Sequence, residues 1–268
     1  MSIPTPRKLD VDLSQVPRHW LAGSPVATAI SNGINMLFPH GERFFVRSVH
    51  HYMDQIKDPD LKAQVKAFFK QEGHHAAAHD EFNDVLRKQG FRIDRFLGRY
   101  QRLSTWIEKR MPAKLNLAGT AAAEHFTAIL ADGAFTKGVL DELHPTMQQL
   151  LAWHAAEEIE HKAVAFDVLQ QIDDSYLLRV AGLAYATVML GMFWVWATTM
   201  LLMQEKLGLR GTLRQLRAAG REDPVIRRVF IAGIRQYIRR DFHPRQNANE
   251  HLAAEWFAAR GFSFPEAA

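Results

Sequence analysis

One arrangement of side chains occurs twice in the 268 residues and limits the folds open to the chain. Glu42, in GERFFVRSVHHY, is followed 30 positions later by Glu72, and His75 stands three beyond that. Glu124, in AGTAAAEHFTAIL, is followed 34 positions later by Glu158, and His161 again stands three beyond. Each half therefore reads as a helix bearing Glu, then a helix bearing Glu-x-x-His. Residues i and i+3 share a helix face, about 5–6 Å apart at Cβ. A span of about thirty residues lets one helix of about twenty run, turn and come back at the same height. Four antiparallel helices then bring four carboxylates and two imidazoles to one level. Buried and bare, such carboxylates would cost several kcal/mol each and take up protons. Two divalent cations would neutralise all four.

His154 extends the pattern. It opens HAAEEIEHKAV, four before Glu158 and seven before His161, so all three share a face. The flanking LLAW and AVAFDVL are apolar, a setting in which charge needs a reason. The chain has no cysteine, so any metal must be held by His, Asp and Glu. Oxygen-rich ligation with imidazoles suits iron, manganese or a mixed pair.

The paired pattern resembles the ferritin-like di-iron carboxylate proteins, over about residues 30–170. That resemblance implies an all-α, ferritin-like four-helix bundle with two Fe ions, held by Glu42, Glu72, His75, Glu124, Glu158 and His161. Glu72 and Glu158 would bridge. The His154 addition resembles the arylamine N-oxygenases, where a further histidine binds one iron. More broadly, the whole chain resembles the bacterial family of predicted metal-dependent hydrolases.

Other titratable residues have plainer readings. Glu42 stands beside Arg43 and Arg47, as a surface charge cluster would, but Phe44 and Phe45 argue for burial. His79 follows His75 by four and is kept as a candidate further ligand, even for a third metal; a hydrogen-bonded core histidine is the favoured reading. His79 and His154 are expected on the same side of the cluster. His125 points about 100° from Glu124 and reads as packing or surface. His74 and Glu157 are expected to be exposed or to support ligands from behind, and Glu160 is off the face, so the glutamates of HAAEEIEH other than Glu158 are read as facing out. Asp132 or Asp167 is a candidate to orient a ligating imidazole. Tyr52 receives no role.

The organisation follows. Residues 1–25 hold four prolines and read as an extended arm. Residues 26–173 would form the di-metal bundle, with helices at 26–56 (interrupted near Pro39-His40-Gly41), from Asp58 to Gln89-Gly90, at 92–110, from Pro112 to about 137, and at 146–171. Residues 174–268 would form an apolar helix, 174–207, and helices at 210–219, 224–240 and 247–260, packed on the bundle.

Val180–Met203 contains no charged residue, enough to cover the ~30 Å core of a bilayer. Arg-rich sequence follows it, and the positive-inside rule would place that tail in the cytoplasm and the metal bundle outside. A buried or interfacial helix, or a homodimer seam, is therefore expected, with peripheral membrane contact and a true span as the alternatives. The N-terminus, MSIPTPRKLDVDLS, has no apolar stretch, so a cytoplasmic location is expected. Net charge is +4 and no nucleic-acid motif is seen, so no nucleic-acid partner is expected.

The function expected first is a non-haem di-iron oxidase or oxygenase, taking O2, a small or lipid-like substrate and a redox partner. The alternative is a metal-dependent hydrolase with a dinuclear site, and the third reading is non-catalytic metal binding.

Overall fold

A computed structural model describes residues 3–222 and 224–262. In chain order its helices are α1 (Pro25–Asn35), α2 (Phe38–His50), α3 (Pro59–Lys88), α4 (Asp94–Glu108), α5 (Ala113–Thr136), α6 (Pro145–His161), α7 (Val164–Ile172), α8 (Tyr176–Leu202), α9 (Gly208–Glu222), α10 (Pro224–Tyr237) and α11 (Glu250–Ala258). Among the described residues the only β pairing is an isolated bridge between Leu21 and Leu143. The protein is an all-α bundle.

The helix starts are written locally. The Ser24 hydroxyl caps α1 by accepting from Ala27 N–H, and Pro25 follows. Asp58 caps α3 in the same way ahead of Pro59, and Ser175 caps α8 through Leu178 N–H. Such caps satisfy donors that a first turn leaves open, and proline there loses no hydrogen bond. Two boundaries differ from expectation. The break in the first helical stretch falls at Met36-Leu37, before Pro39, because proline is accommodated in the first turn of α2. The stretch 146–171 is two helices, parted at Lys162-Ala163. Lys162 is buried there, and its ammonium donates to Asn247 O at 2.6 Å and Asn249 Oδ1 at 2.5 Å, a tie to the C-terminal segment.

The ligand-bearing helices close a ring: α2 packs on α3, α3 on α6, α6 on α5, and α5 on α2. Two apolar clusters plug the ring at either end of the ligand level. One includes Phe82, Leu86, Leu150 and Trp153. The other includes Val65, Phe68, Ala122 and Val168. The level between them is thereby shut off from water.

The apolar helix α8 is neither wholly buried nor free. One face lies across α5 and α1. Its approach requires glycine: a Cβ on Gly182 would stand 2.5 Å from the backbone of Ala118, and one on Gly33 would collide with the Thr198 hydroxyl. The opposite face is open, with Val188 65% and Val195 67% exposed. By length and composition α8 is long and apolar enough to cross a membrane.

Candidate metal centre

The side chains expected as ligands meet in one place. Glu42, Glu72, His75, Glu124, His154, Glu158 and His161 are at most 4% exposed, and so is His79. The i,i+3 and i,i+4 spacings act as supposed, since α3 presents Glu72, His75 and His79 to the ring and α6 presents His154, Glu158 and His161. His161 Nε2 lies 3.1 Å from Glu72 Oε1, 3.3 Å from Glu124 Oε2 and 3.5 Å from Glu158 Oε2. His75 Nδ1 lies 3.9 Å from Glu72 Oε1 and 3.7 Å from Glu158 Oε1. His154 Nε2 donates to Glu158 Oε1 at 2.8 Å and lies 3.6 Å from Glu42 Oε1. Four overlapping triads have donor atoms within 4.8 Å of one another: Glu42–Glu72–His75, Glu72–Glu124–His161, His75–His154–Glu158 and Glu42–His79–His154.

This donor set fits metal. Both carboxylate oxygens of Glu42, Glu72 and Glu124 are buried without a hydrogen-bond partner among the described residues, as are Glu158 Oε2, His75 Nδ1 and His161 Nε2. Buried polar atoms are nearly always satisfied, so a cluster of orphans facing one point marks a missing partner. The electrostatics agree. Burial, reinforced by the neighbouring carboxylates, holds Glu42 and Glu72 well above the usual range and raises Glu124 to about 7. Burial alone would raise Glu158 too, but His161 and His154 outweigh it and hold it well below. Burial opposes charge on His161 as well, yet Glu158 and Glu124 keep it well above the ordinary imidazole value. Without metal the cluster therefore stores protons that a cation must displace.

The remaining ring nitrogens are occupied from behind. His75 Nε2 donates to Glu157 Oε2 at 2.9 Å, and His161 Nδ1 donates to Gln71 Oε1 at 2.9 Å. His79 Nε2 and His154 Nδ1 share a hydrogen bond of 2.7 Å, on one side of the cluster as expected, while His79 Nδ1 has no partner. His79 thus stands behind His154 in this arrangement, with Glu42 within reach of both. Partners of this kind fix the tautomer and the aim of a ligating imidazole.

Several expectations need correction. Glu157 does not face out. It is fully buried against His75, and burial raises its carboxyl to about 8. Glu160 is tied to the arm rather than to solvent: Arg7 donates to its oxygens at 2.9 and 3.0 Å, and Gln71 Nε2 at 2.9 Å. Neither Asp132 nor Asp167 orients a ligand. Asp132 accepts from Asn249 Nδ2 at 2.9 Å, and Asp167 holds His243 and Arg245. His125 is packing, as expected, with Nε2 2.9 Å from Gly233 O. His74 is partly buried, its Nδ1 3.1 Å from Arg7 O.

Gln71 and Arg7 were not anticipated. Gln71 and Glu157 each precede the Glu of a Glu-x-x-His, and each supports the histidine of the other motif. A polar residue at that position in both motifs was the available signal. Arg7 offered none, since contact across 150 residues is not written in local sequence. Its backbone N–H donates to Glu157 Oε1 at 2.8 Å, and its guanidinium lies over the Phe257 ring at 3.6 Å.

Fold and centre together define a class: an all-α bundle with a buried carboxylate–histidine cluster that is a candidate site for metal. Within it, the chain matches the family described as predicted metal-dependent hydrolase over residues 5–248, and it belongs to that family. No curated protein and no solved structure matches it.

Proposed function

We propose that the protein is a metal-dependent hydrolase whose dinuclear centre is held by Glu42, Glu72, His75, Glu124, His154, Glu158 and His161. The carrying observation is the set of buried, unpartnered carboxylate oxygens converging with imidazole nitrogens. The family's description points to hydrolysis. Iron is the metal assigned, with manganese or a mixed pair as the alternative, because the donors are oxygen and imidazole. When bound, such a pair polarises a carbonyl or phosphoryl oxygen and lowers the pKa of water.

The chain's own residues do the rest. Glu157 and Gln71 hold the His75 and His161 rings in the tautomers that leave Nδ1 and Nε2, respectively, facing the centre. The apolar plugs exclude bulk water, so charges at the centre act in a poorly screened setting. Glu42 forms part of the wall of an adjoining cavity and is the ligand nearest to where a substrate would enter.

A second reading, O2-dependent oxidation, has its own support in His154, a third imidazole beside the two Glu-x-x-His motifs, and in an adjoining cavity that is apolar. One experiment separates the two. The protein is loaded anaerobically with Mn(II) or Zn(II) and offered ester and phosphoester substrates, and in parallel with Fe(II) and pulsed with O2. Hydrolysis without O2 in the loaded protein, lost in Glu158→Ala, is the expected result. O2 uptake in proportion to Fe(II), with no hydrolysis under any loading, would replace hydrolase by oxidase.

A further inference from the structure

The bundle contains a cavity of about 130 Å³ where α8 closes over α2, α4 and α5. Its walls include Phe38, Phe45, Phe126, Met189 and Phe193, and Glu42 is at its edge. Small residues on α5 make the space, namely Gly119 and Ala123. Three of the wall's hydroxyls are spent on backbone: Tyr100 OH donates to Leu37 O at 3.1 Å, Ser104 Oγ to Tyr100 O at 2.7 Å, and Thr127 Oγ1 to Glu124 O at 2.9 Å; Tyr185 brings a fourth. At the rim Glu108 is paired with Arg47. His40 Nε2 is buried without a partner among the described residues. Burial lowers His40 to about 4, so it is uncharged near neutral pH. Apart from Glu42 and that rim pair the lining then carries no charged residue, and an ionised group entering would lose its hydration and gain no counter-ion. An apolar cavity of ~150 Å³ in another protein stays dry and takes benzene, which sets the scale of what fits.

We infer that this cavity is the binding site for the uncharged, apolar part of the substrate, a phenyl-sized ring or short hydrocarbon chain, and that it presents the adjoining bond to the Glu42 and His154 side of the centre. The substrate class follows: a neutral ester or related compound whose apolar group enters here, with His40 Nε2 free to meet one polar atom. The inference rests on the reading of the metal centre as catalytic. It also gives α8 a role at the site, since Tyr185, Met189 and Phe193 turn the apolar helix into a wall of the cavity.

The test uses the full chain loaded with Zn(II), and toluene and benzoate as probes, with binding followed by saturation-transfer NMR. Toluene should bind saturably and benzoate should not. Met189→Trp, which fills the cavity from α8, should weaken toluene binding at least tenfold with metal content unchanged. Val188→Trp, on the open face of α8, should leave it alone. Should Met189→Trp fail to fold, Leu130→Phe fills the same space from α5 and should give the same loss. Toluene binding unaffected in whichever filled variant folds, or benzoate binding as well as toluene, overturns the inference. Binding needs no turnover, so the two readings fail separately. Toluene bound without hydrolysis of any ester removes the hydrolase reading alone, and hydrolysis without toluene binding removes the cavity assignment alone.

Discussion

Glu157 Oε2 accepts from His75 Nε2 at 2.9 Å, and this joins two helices through residues 82 positions apart. The counterpart is Gln71 on His161. Each Glu-x-x-His histidine is thus held by the residue before the glutamate of the other motif. The helices that supply the centre also brace each other's ligands. The arm reaches the brace as well, since Arg7 N–H donates to the other oxygen of Glu157.

The brace and the ligand position differ in consequence. Glu158→Ala removes a carboxylate from the centre and should abolish stoichiometric metal, measured by elemental analysis after identical loading. Glu157→Ala leaves the donors in place but frees the His75 ring, so metal should still bind, about 10–100-fold more weakly. Competition with a chelator reads the difference. Glu157→Ala equal to the parent protein would show that the His75 ring needs no support.

Metal binding should release protons. Glu124, raised to about 7 by burial and by Glu158, is largely protonated at pH 6 and largely ionised at pH 8. A cation must displace that proton below pH 7 and finds it gone above. Apparent affinity should therefore climb with pH through about 7, and proton release from this group should fall off over the same interval. Calorimetry of Mn(II) binding in buffers of different ionisation enthalpy measures the release. A pH-independent affinity between 6 and 8 would place Glu124 outside the centre.

The arm is held by charge and is not merely draped over the bundle. Arg7→Ala leaves Glu160 without its guanidinium partner in a partly buried place, and removing one partner of a buried pair costs about 3–5 kcal/mol. Because Glu160 keeps some exposure, the lower end is expected. Chemical denaturation gives the number. A loss below about 1 kcal/mol would mean that the arm contributes little to stability.

Helix α8 crosses α5 at Gly182 with no room for a side chain. Gly182→Leu should cost about 1–3 kcal/mol through overpacking. It should also lift α8 from its seat and weaken toluene binding, because the same helix walls the cavity. Gly191→Leu, where a Cβ meets nothing within 4 Å, is the control and should be near neutral. Equal effects at the two glycines, read by thermal unfolding, would argue against the close crossing.

Much was legible in the residues because its causes are local. Helix starts follow Ser24-Pro25, Asp58-Pro59 and Ser175, whose caps are made within three residues. Glu72 with His75, and Glu158 with His154 and His161, share faces because helical geometry fixes what i, i+3 and i+4 can do. The recurrence of that pattern was enough to expect a bundle and to choose seven side chains that meet in it, with His79 kept as a candidate eighth. It left the neighbours open. Glu157 was read as facing out or as supporting a ligand from behind, and the hydrogen bond to His75 bears out the second. On α6 the Glu157 side chain points at α3, which arrives from far away in sequence.

The sequence by itself thus determined the helices, the ligand types and their faces, since these depend on spacing of a few residues and on the absence of cysteine. The tertiary structure decided what lies behind each ligand, how the arm and Arg7 are engaged, where α6 stops at Lys162, and that α8 walls a cavity next to Glu42. Those depend on which helix packs beside which. Contacts between residues 60 to 150 positions apart are set by the packing of the whole core, which no local spacing encodes.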